Sequence, residues 1–267
     1  MKLALIGCGF MGEAVLKAAL AKGIVDSASV AVAEAVVSRR DTIARAYSVR
    51  VEDDAAAVVD GAEVLLLAVK PQEFEKAAAA LNRRLSSVQT VVSIMAGVRI
   101  ATIERHLGHD AIARVMPNTP GAIGEGASVW TATDAVSSAA RANVAALVGA
   151  LGLEIYAEDE KYLDMATALS ASGPGFVYLL IEAFIDAGVH IGFRRDAAEQ
   201  LAIQTFRGAA RYAQTRGVHV AQLRNEVTSP AGTTAAGLQV LEEAGVRGAI
   251  IAAVEAAFER SRELGES

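Results

Sequence analysis

Gly7, Gly9 and Gly12, in the run Gly7-Cys8-Gly9-Phe10-Met11-Gly12, have the spacing at which a backbone can hold a dinucleotide. They follow the apolar stretch Lys2-Leu3-Ala4-Leu5-Ile6 and open the helical pattern Glu13-Ala14-Val15-Leu16-Lys17-Ala18-Ala19-Leu20. In this strand–turn–helix setting each glycine has its own task. Gly7 permits the tight turn, Gly9 lets the backbone approach a pyrophosphate, and Gly12 lets the helix pack close to the strand. The phosphates then accept from the free N–H groups of the helix start. A glycine-rich turn with no ligand is the plain alternative.

Further candidates fall where later strands end, the edge at which open α/β sheets bind ligands. The second loop carries Glu34, with Ser38, Arg39 and Arg40 behind it. An acid there suits the ribose hydroxyls of NAD, and arginines suit the 2′-phosphate of NADP, so both cofactors stay open. The third is Ala68-Val69-Lys70-Pro71-Gln72, where Pro71 begins a helix and Lys70 places a charge at the end of a buried strand. The fourth is Ile94-Met95-Ala96-Gly97, small enough for a cofactor to lie against. Then come Arg114-Val115-Met116-Pro117-Asn118-Thr119-Pro120-Gly121, a stiff loop in which Asn118 can both donate and accept.

Two motifs mark the second half. Ser170-Ala171-Ser172-Gly173-Pro174-Gly175 reads as a helix start, capped by Ser172 or Gly173. Val227-Thr228-Ser229-Pro230-Ala231-Gly232-Thr233-Thr234 crowds hydroxyls and free N–H groups at another start, more than one cap needs and well suited to a carboxylate. His106, His109, His190 and His219 read as surface-loop residues, none beside a carboxylate in a motif. No metal-ligand spacing occurs, so no metal is expected.

The elements that must position these residues fall into two kinds. Strand patterns near 2–6, 29–33, 63–69, 90–95, 111–116, 127–131 and 153–156 alternate with helical ones near 11–22, 38–47, 72–85, 99–107 and 135–151. Short, doubly buried strands between helices predict a parallel sheet covered on both faces. Beyond Glu158-Asp159-Glu160 only helices are expected, near 161–170, 174–189, 195–215, 219–226, 231–243 and 246–263, with a frayed tail from Glu263 to Ser267. The expected architecture is α/β: a Rossmann-type domain over 1–160, then an all-helical domain over 161–267.

The chain's 267 residues can bury a sizeable core without disulfides. The single cysteine, Cys8, excludes an intramolecular disulfide and suits a reducing cytoplasm. A net charge of −6 argues against nucleic acid as the main partner. No membrane span is expected: the run from Val64 to Val69 is too short, and Glu182 and Asp186 interrupt the one from Phe176 to Ala187. That second run is apolar nearly all round, which predicts burial against a two-fold partner and a homo-oligomer that is at least a dimer.

Taken together, these motifs, in this order and over essentially the whole chain, resemble the pyrroline-5-carboxylate reductase family. The segment Ser229-Pro230-Ala231-Gly232-Thr233-Thr234 carries most of the specificity. The resemblance implies reduction of (S)-1-pyrroline-5-carboxylate to L-proline by NADPH or NADH, in a dimer joined through the helical domain with the substrate loop at its interface. It implies that Ile6 to Met11 (Gly7, Cys8, Gly9 and Phe10 between them), Ala68, Val69, Lys70, Pro71, Ile94, Met95 and Ala96 line the cofactor. It implies that Thr234 faces the imine nitrogen, and that Thr233, Glu226 and Glu160 contact substrate, beside Ser229 and Gly232 of the same loop. Three departures stand out: Glu226 where an asparagine can occur, Ala55 where many members have a cofactor-touching asparagine, and Ala231 in place of a common glycine.

The residues agree with an imine substrate. A hydroxyacid dehydrogenase, the enzymatic alternative, needs a His or Lys to move the hydroxyl proton. Lys161 is the only lysine after Lys76, and the helix after Gly173 offers Phe176, Val177 and Tyr178 where such a lysine would stand. A protonated imine takes hydride with a hydroxyl donor and tight positioning alone. The non-enzymatic alternative, a nucleotide-sensing protein of the same fold, gives the Thr233-Thr234 pair nothing to do.

Overall fold

The computed structural model describes residues 1–81 and 84–266. The expected helix over 72–85 therefore includes two positions, 82 and 83, outside the described residues, as is the last residue of the expected frayed tail. Among the described residues, eight strands form one sheet: β1 (Leu3–Ile6), β2 (Val30–Ala33), β3 (Arg50–Glu52), β4 (Val64–Leu67), β5 (Thr90–Ser93), β6 (Ile112–Met116), β7 (Gly126–Ala132) and β8 (Gly152–Tyr156). Their order is β3-β2-β1-β4-β5-β6-β7-β8. All neighbours run parallel except β6 and β7, which are antiparallel. Between the strands lie α1 (Phe10–Ala21), α2 (Val37–Tyr47), α3 (Ala56–Val59), α4 (Phe74–Leu81), α5 (Ile100–Leu107) and α6 (Ser138–Gly149). Then follow α7 (Lys161–Ala166), α8 (Gly173–His190), α9 (Arg195–Arg216), α10 (Val220–Glu226), α11 (Thr233–Glu243) and α12 (Val246–Glu266).

Alternating side chains build a core on each face of the sheet. Leu3, Leu5, Val32, Leu66, Val92, Val115 and Trp130 pack with Val15, Leu16 and Leu147 of α1 and α6. Ala4, Ile6, Leu65, Leu67, Val91 and Ile112 pack on the other face with Val58, Phe74, Leu81 and Ile103 of α3, α4 and α5. The sequence reading missed β3 and α3. Both are shorter than the periodicity needed to see them, and β3 forms only because β2 offers it an edge at Ala31, Val32 and Ala33.

The chain divides into two compact units, Met1–Ser172 with Ala257–Ser267, and Gly173–Ala256. Helical pattern thus begins near 160, but the sheet's unit keeps α7 and takes back the end of α12. The tail expected to fray is instead helical to Glu266. Arg99 Nε donates to Gly265 O at 2.9 Å.

Ser172 or Gly173 does not cap a fresh helix. A π-helical turn, Thr167–Ala171, joins α7 to α8, and Ser172 N–H reaches Thr167 O at 2.8 Å. The physical reason lies in Pro174, which has no N–H for the carbonyl four residues earlier, Ser170 O. Asn118 Nδ2 supplies that donor instead, at 3.1 Å. The run Lys161–His190 is long and apolar enough, by length and composition, to cross a membrane. Glu182 and Asp186, expected to interrupt the apolar stretch, lie within this run. In the second unit Phe184 and Phe206 meet edge to face with centroids 5.1 Å apart. A Cβ added to Gly188 would stand 2.9 Å from Ala198 Cβ, so glycine there allows α8 and α9 to cross closely.

Candidate active site

The order of strands reverses between β1 and β4, and the glycine turn stands there. Gly7 has φ +81, and an added Cβ would lie 2.8 Å from Val69 Cγ1 and 3.0 Å from Val69 N. A Cβ on Gly12 would meet Gly7 O at 2.7 Å and Ala68 Cβ at 3.0 Å. A Cβ on Gly9 would meet nothing within 4 Å. The turn therefore needs Gly7, helix packing needs Gly12, and Gly9 opens onto free space. No side chain caps α1 at Gly9, and the first intrahelical bond runs from Glu13 N–H to Gly9 O. The N–H groups of Phe10, Met11 and Gly12 precede that bond, as phosphate binding requires. This donor set, with its open cradle, fits a dinucleotide.

The other loop residues fall around the same edge. Ala68 and Val69 touch the glycine turn, as the Gly7 and Gly12 distances show. Lys70 is exposed and begins a 3-10 turn with Pro71 in its first position. Ile94 is half-buried and Ala96 exposed, whereas Met95 is buried among Leu67 and Ile103 in the core. Only the Met95 backbone can therefore face a cofactor. Ala55 is buried at the start of α3.

Glu34 is 8% exposed, and neither carboxylate oxygen is idle. Oε2 accepts from Cys8 N–H and Oε1 from Val36 N–H, both at 2.9 Å. It thus ties the glycine turn to the loop after β2. Arg39 pairs with Glu13 at 2.8 Å and donates to Cys8 O. Arg40 Nη1 donates to Glu34 O and Ala35 O, each at 3.0 Å. Burial raises the Glu13 carboxyl, but hydrogen bonds from Arg39 and Tyr47 outweigh it and hold the group below its usual range. Burial, then the nearby Glu13, push the Cys8 thiol up to about 12.

Asn118 is a brace: besides its bond to Ser170 O, its Oδ1 accepts from Ala127 N–H at 2.8 Å. Glu160 Oε1 accepts from Arg114 Nη1 at 2.6 Å and from Ile100 N–H at 2.9 Å. Arg114 is only 2% exposed, and the sequence reading gave it no role. The signal was there, a charge in the middle of the apolar strand Ile112-Ala113-Arg114-Val115-Met116. Of the histidines, His109 is not a surface residue: it is buried, with Nε2 2.9 Å from Gln89 O, because it follows the left-handed Gly108 that turns the chain into β6. His219 caps α10, its Nδ1 accepting from Ala221 N–H.

In the second unit, Ser229 to Gly232 form a turn closed by Gly232 N–H to Ser229 O at 3.0 Å. Ala231 occupies its third position at φ +57, the left-handed region that type II turns reserve for glycine. A Cβ on Gly232 would collide with Ser229 Oγ. Gly232 then heads α11 without a side-chain cap, and the first bond of that helix runs from Ala236 N–H to Gly232 O. Thr233 is exposed and Thr234 half-buried. Glu226, at the end of α10, is gripped by both terminal nitrogens of Arg216, at 3.1 and 3.2 Å. Arg216 Nη1 also donates to Tyr212 O–H at 2.5 Å.

Comparison with known proteins places these observations. Residues 160–264 match the family model described as pyrroline-5-carboxylate reductase dimerisation. Residues 2–97 match one described as NADP oxidoreductase, coenzyme F420-dependent. A pyrroline-5-carboxylate reductase of Synechocystis sp. is 41% identical over 100% of this chain and 99% of its own. That of Pisum sativum is 39% identical over 98% and 95%. The solved pyrroline-5-carboxylate reductase of Coxiella burnetii superposes with a TM-score of 0.93 at 32% identity, covering 100% of this chain and 99% of its own. The Plasmodium falciparum pyrroline carboxylate reductase, solved with NADP bound, gives 0.89 at 30% identity, covering 99% and 98%. With a glycine cradle for a dinucleotide, a Ser-Pro-Ala-Gly-Thr-Thr turn at the head of a helix, and full-length relatives of one kind, the chain belongs to the pyrroline-5-carboxylate reductase family.

Proposed function

We propose that the chain reduces (S)-1-pyrroline-5-carboxylate to L-proline with NADPH or NADH, the last step of proline biosynthesis. The carrying observation is the head of α11, where Thr234 stands in the first turn among the N–H groups of Thr233, Thr234 and Ala235 that precede the helix's first bond. A bound NAD(P)H supplies the hydride. Phe10, Met11 and Gly12 would hold its diphosphate through backbone N–H, and Gly9 would leave room for it. Ile6, Cys8, Ala68, Val69, Lys70, Pro71, Ile94, Met95 and Ala96 would line its remaining length, the buried Ile6, Cys8 and Met95 through their backbone. Ser229, Gly232 and Thr233 hold the substrate carboxylate on the turn before α11. Thr234 would donate to the imine nitrogen, which gains a proton as the carbon of the C=N bond takes the hydride, so that C=N becomes the CH–NH of proline. Glu160 and Glu226, each paired with an arginine, act through the segments they anchor.

Cofactor choice rests on Glu34. Its buried charge beside the glycine turn opposes a 2′-phosphate, and Arg39 is already paired with Glu13, so appreciable use of NADH is proposed. The functional assignment is a cofactor domain over 1–160 and a substrate and dimerisation domain over 161–267. The protein works in the cytoplasm as a homo-oligomer, at least a dimer, without a metal, nucleic acid or a membrane. The apolar Lys161–His190 run, inside the segment matched to a dimerisation model, supports a partner chain as its cover.

The test is oxidation of NADPH and of NADH with pyrroline-5-carboxylate, in the presence of a chelator, against a panel of 3-hydroxy and 2-keto acids. Turnover confined to the imine is expected. Faster turnover of a hydroxy acid, or loss of activity on chelation with recovery on adding zinc, overturns the proposal.

A further inference from the structure

The last turns of α12 belong to the same compact unit as the sheet, and they converge on one loop of the cofactor edge. Gly97 ends the loop after β5 in a left-handed conformation, φ +74. A Cβ added there would lie 3.3 Å from Leu264 O and 3.5 Å from Leu264 Cβ, so the loop and the helix end are in close apposition. Two residues on, Arg99 donates from Nε to Gly265 O at 2.9 Å. A Cβ on Gly265 would lie 3.0 Å from that same nitrogen. The other side of Arg99 faces Asp164 of α7, with Nη2 3.8 Å from Oδ2. Asp164 in turn accepts from Ser261 Oγ of α12 at 3.1 Å, and both residues are 5% exposed. Next along the chain, Ile100 N–H is held by Glu160, itself paired with the buried Arg114.

A buried carboxylate without partners is costly, so Asp164 has a reason to keep Ser261 and Arg99. A left-handed glycine appressed to a helix end likewise leaves the loop little freedom. The loop 94–97 is therefore fixed at Gly97, at Arg99 and at Ile100, and two of those three fixings come from residues 261–265. Ile94, Met95 and Ala96, assigned to the cofactor, lie immediately before them.

We infer that Arg99, Asp164 and Ser261 are positioning residues for the cofactor, and that the C-terminal end of α12 is the part that sets the Ile94–Gly97 loop in its binding conformation. This rests on the reading of that loop as part of the nicotinamide cofactor site. A loop set in advance loses less freedom on binding, so releasing it weakens the nucleotide. The imine's own binding, assigned to the turn before α11, is left alone.

The experiment compares full-length wild type with Arg99→Met, Arg99→Lys and Ser261→Ala. The readings are Kd for NADPH and NADH by nucleotide fluorescence without substrate, KM for pyrroline-5-carboxylate, Tm, and mass by light scattering. Arg99→Met and Ser261→Ala are expected to raise both nucleotide Kd values, by roughly tenfold for Arg99→Met, the scale of one hydrogen bond from a charged group. KM for the imine and the oligomer should be unchanged. Arg99→Lys, which can still donate to Gly265 O, should recover most of the affinity. If Tm falls in the variants while both Kd values stay within about twofold of wild type, the contacts hold the fold only and the inference is overturned. Should Arg99→Met not fold, Ser261→Ala decides in the same way. A wild type that binds neither nucleotide would instead sink the cofactor reading itself.

Discussion

Thr234 is the side chain on which the proposed chemistry turns. Removing its hydroxyl removes one hydrogen bond to a developing charge, on the order of 1.5–3 kcal/mol, or about ten- to a hundredfold in kcat. Thr234→Ala should therefore lower kcat more than it weakens the cofactor, and Thr234→Val, which keeps the shape, should match it. Full kcat in both would leave the threonine as a helix-start residue only. Glu34 combines two roles, because its oxygens hold Cys8 N–H and Val36 N–H while its charge opposes a 2′-phosphate. Glu34→Gln keeps an acceptor and removes the charge. The ratio of kcat/KM for NADPH to that for NADH should rise; an unmoved ratio would make Glu34 a brace and no more. Cys8 is fully buried, and with its thiol pushed up to about 12 it stays protonated through the working range. A group whose folded value is raised contributes stability below its unfolded value and loses it as pH climbs toward the folded one. For Cys8 that window runs from about 9 to about 12. Native protein at pH 8 should resist thiol alkylation, and one equivalent should react on unfolding; rapid labelling of the native state would contradict the burial.

At the level of elements, the glycines of the first turn separate packing from binding. Gly9→Ala adds a methyl group where nothing stands within 4 Å, at φ −70, so it should fold normally. That methyl group enters the diphosphate cradle, and KM for the cofactor should rise with Tm unchanged. Gly12→Ala drives a carbon against Gly7 O and Ala68 Cβ, so it should lower both Tm and cofactor affinity. Equal Tm losses in the two variants would refute this division. The turn before α11 carries the opposite case, a left-handed residue that is not glycine. Holding Ala231 there costs about 1–2 kcal/mol, and glycine would relieve it while adding about 0.5–1 kcal/mol of unfolded-chain entropy. Ala231→Gly should therefore hold or slightly raise Tm, whereas β-branched Ala231→Val should lower Tm and kcat together. Thermal melts of the two variants check this, and a more stable valine variant would show that the turn is not strained.

For the whole molecule, the second unit leaves much apolar surface uncovered. Leu179, Leu201, Val240 and Ile251 are each at least half exposed, on four different helices. Surface of that kind on a monomer marks an interface. The smallest active species should be a dimer, read by light scattering at assay concentration, and a monomer with full specific activity would refute it.

The sequence alone determined much of this protein. A glycine pattern after an apolar strand needs only local chemistry, so β1, the turn and α1 were legible, as were the strands of four or more residues and the helices long enough to show a period. The α/β class, the family and the hydroxyl-rich turn followed from the same short-range signals. Tertiary structure decided the rest. β3 exists because β2 gives it a partner, and β7 reverses direction, which no local pattern encodes. Pro174 reads as a helix start, yet the helix runs into it through a π turn over Thr167–Ala171, and Asn118, 56 positions earlier, supplies Ser170 O with the donor that Pro174 lacks. Arg114 with Glu160, and Asp164 with Ser261 and Arg99, are pairs between distant segments. Sequence shows that such charges exist. Only the folded chain decides which buried groups satisfy one another, since each must find its partner wherever packing brings one within hydrogen-bond reach.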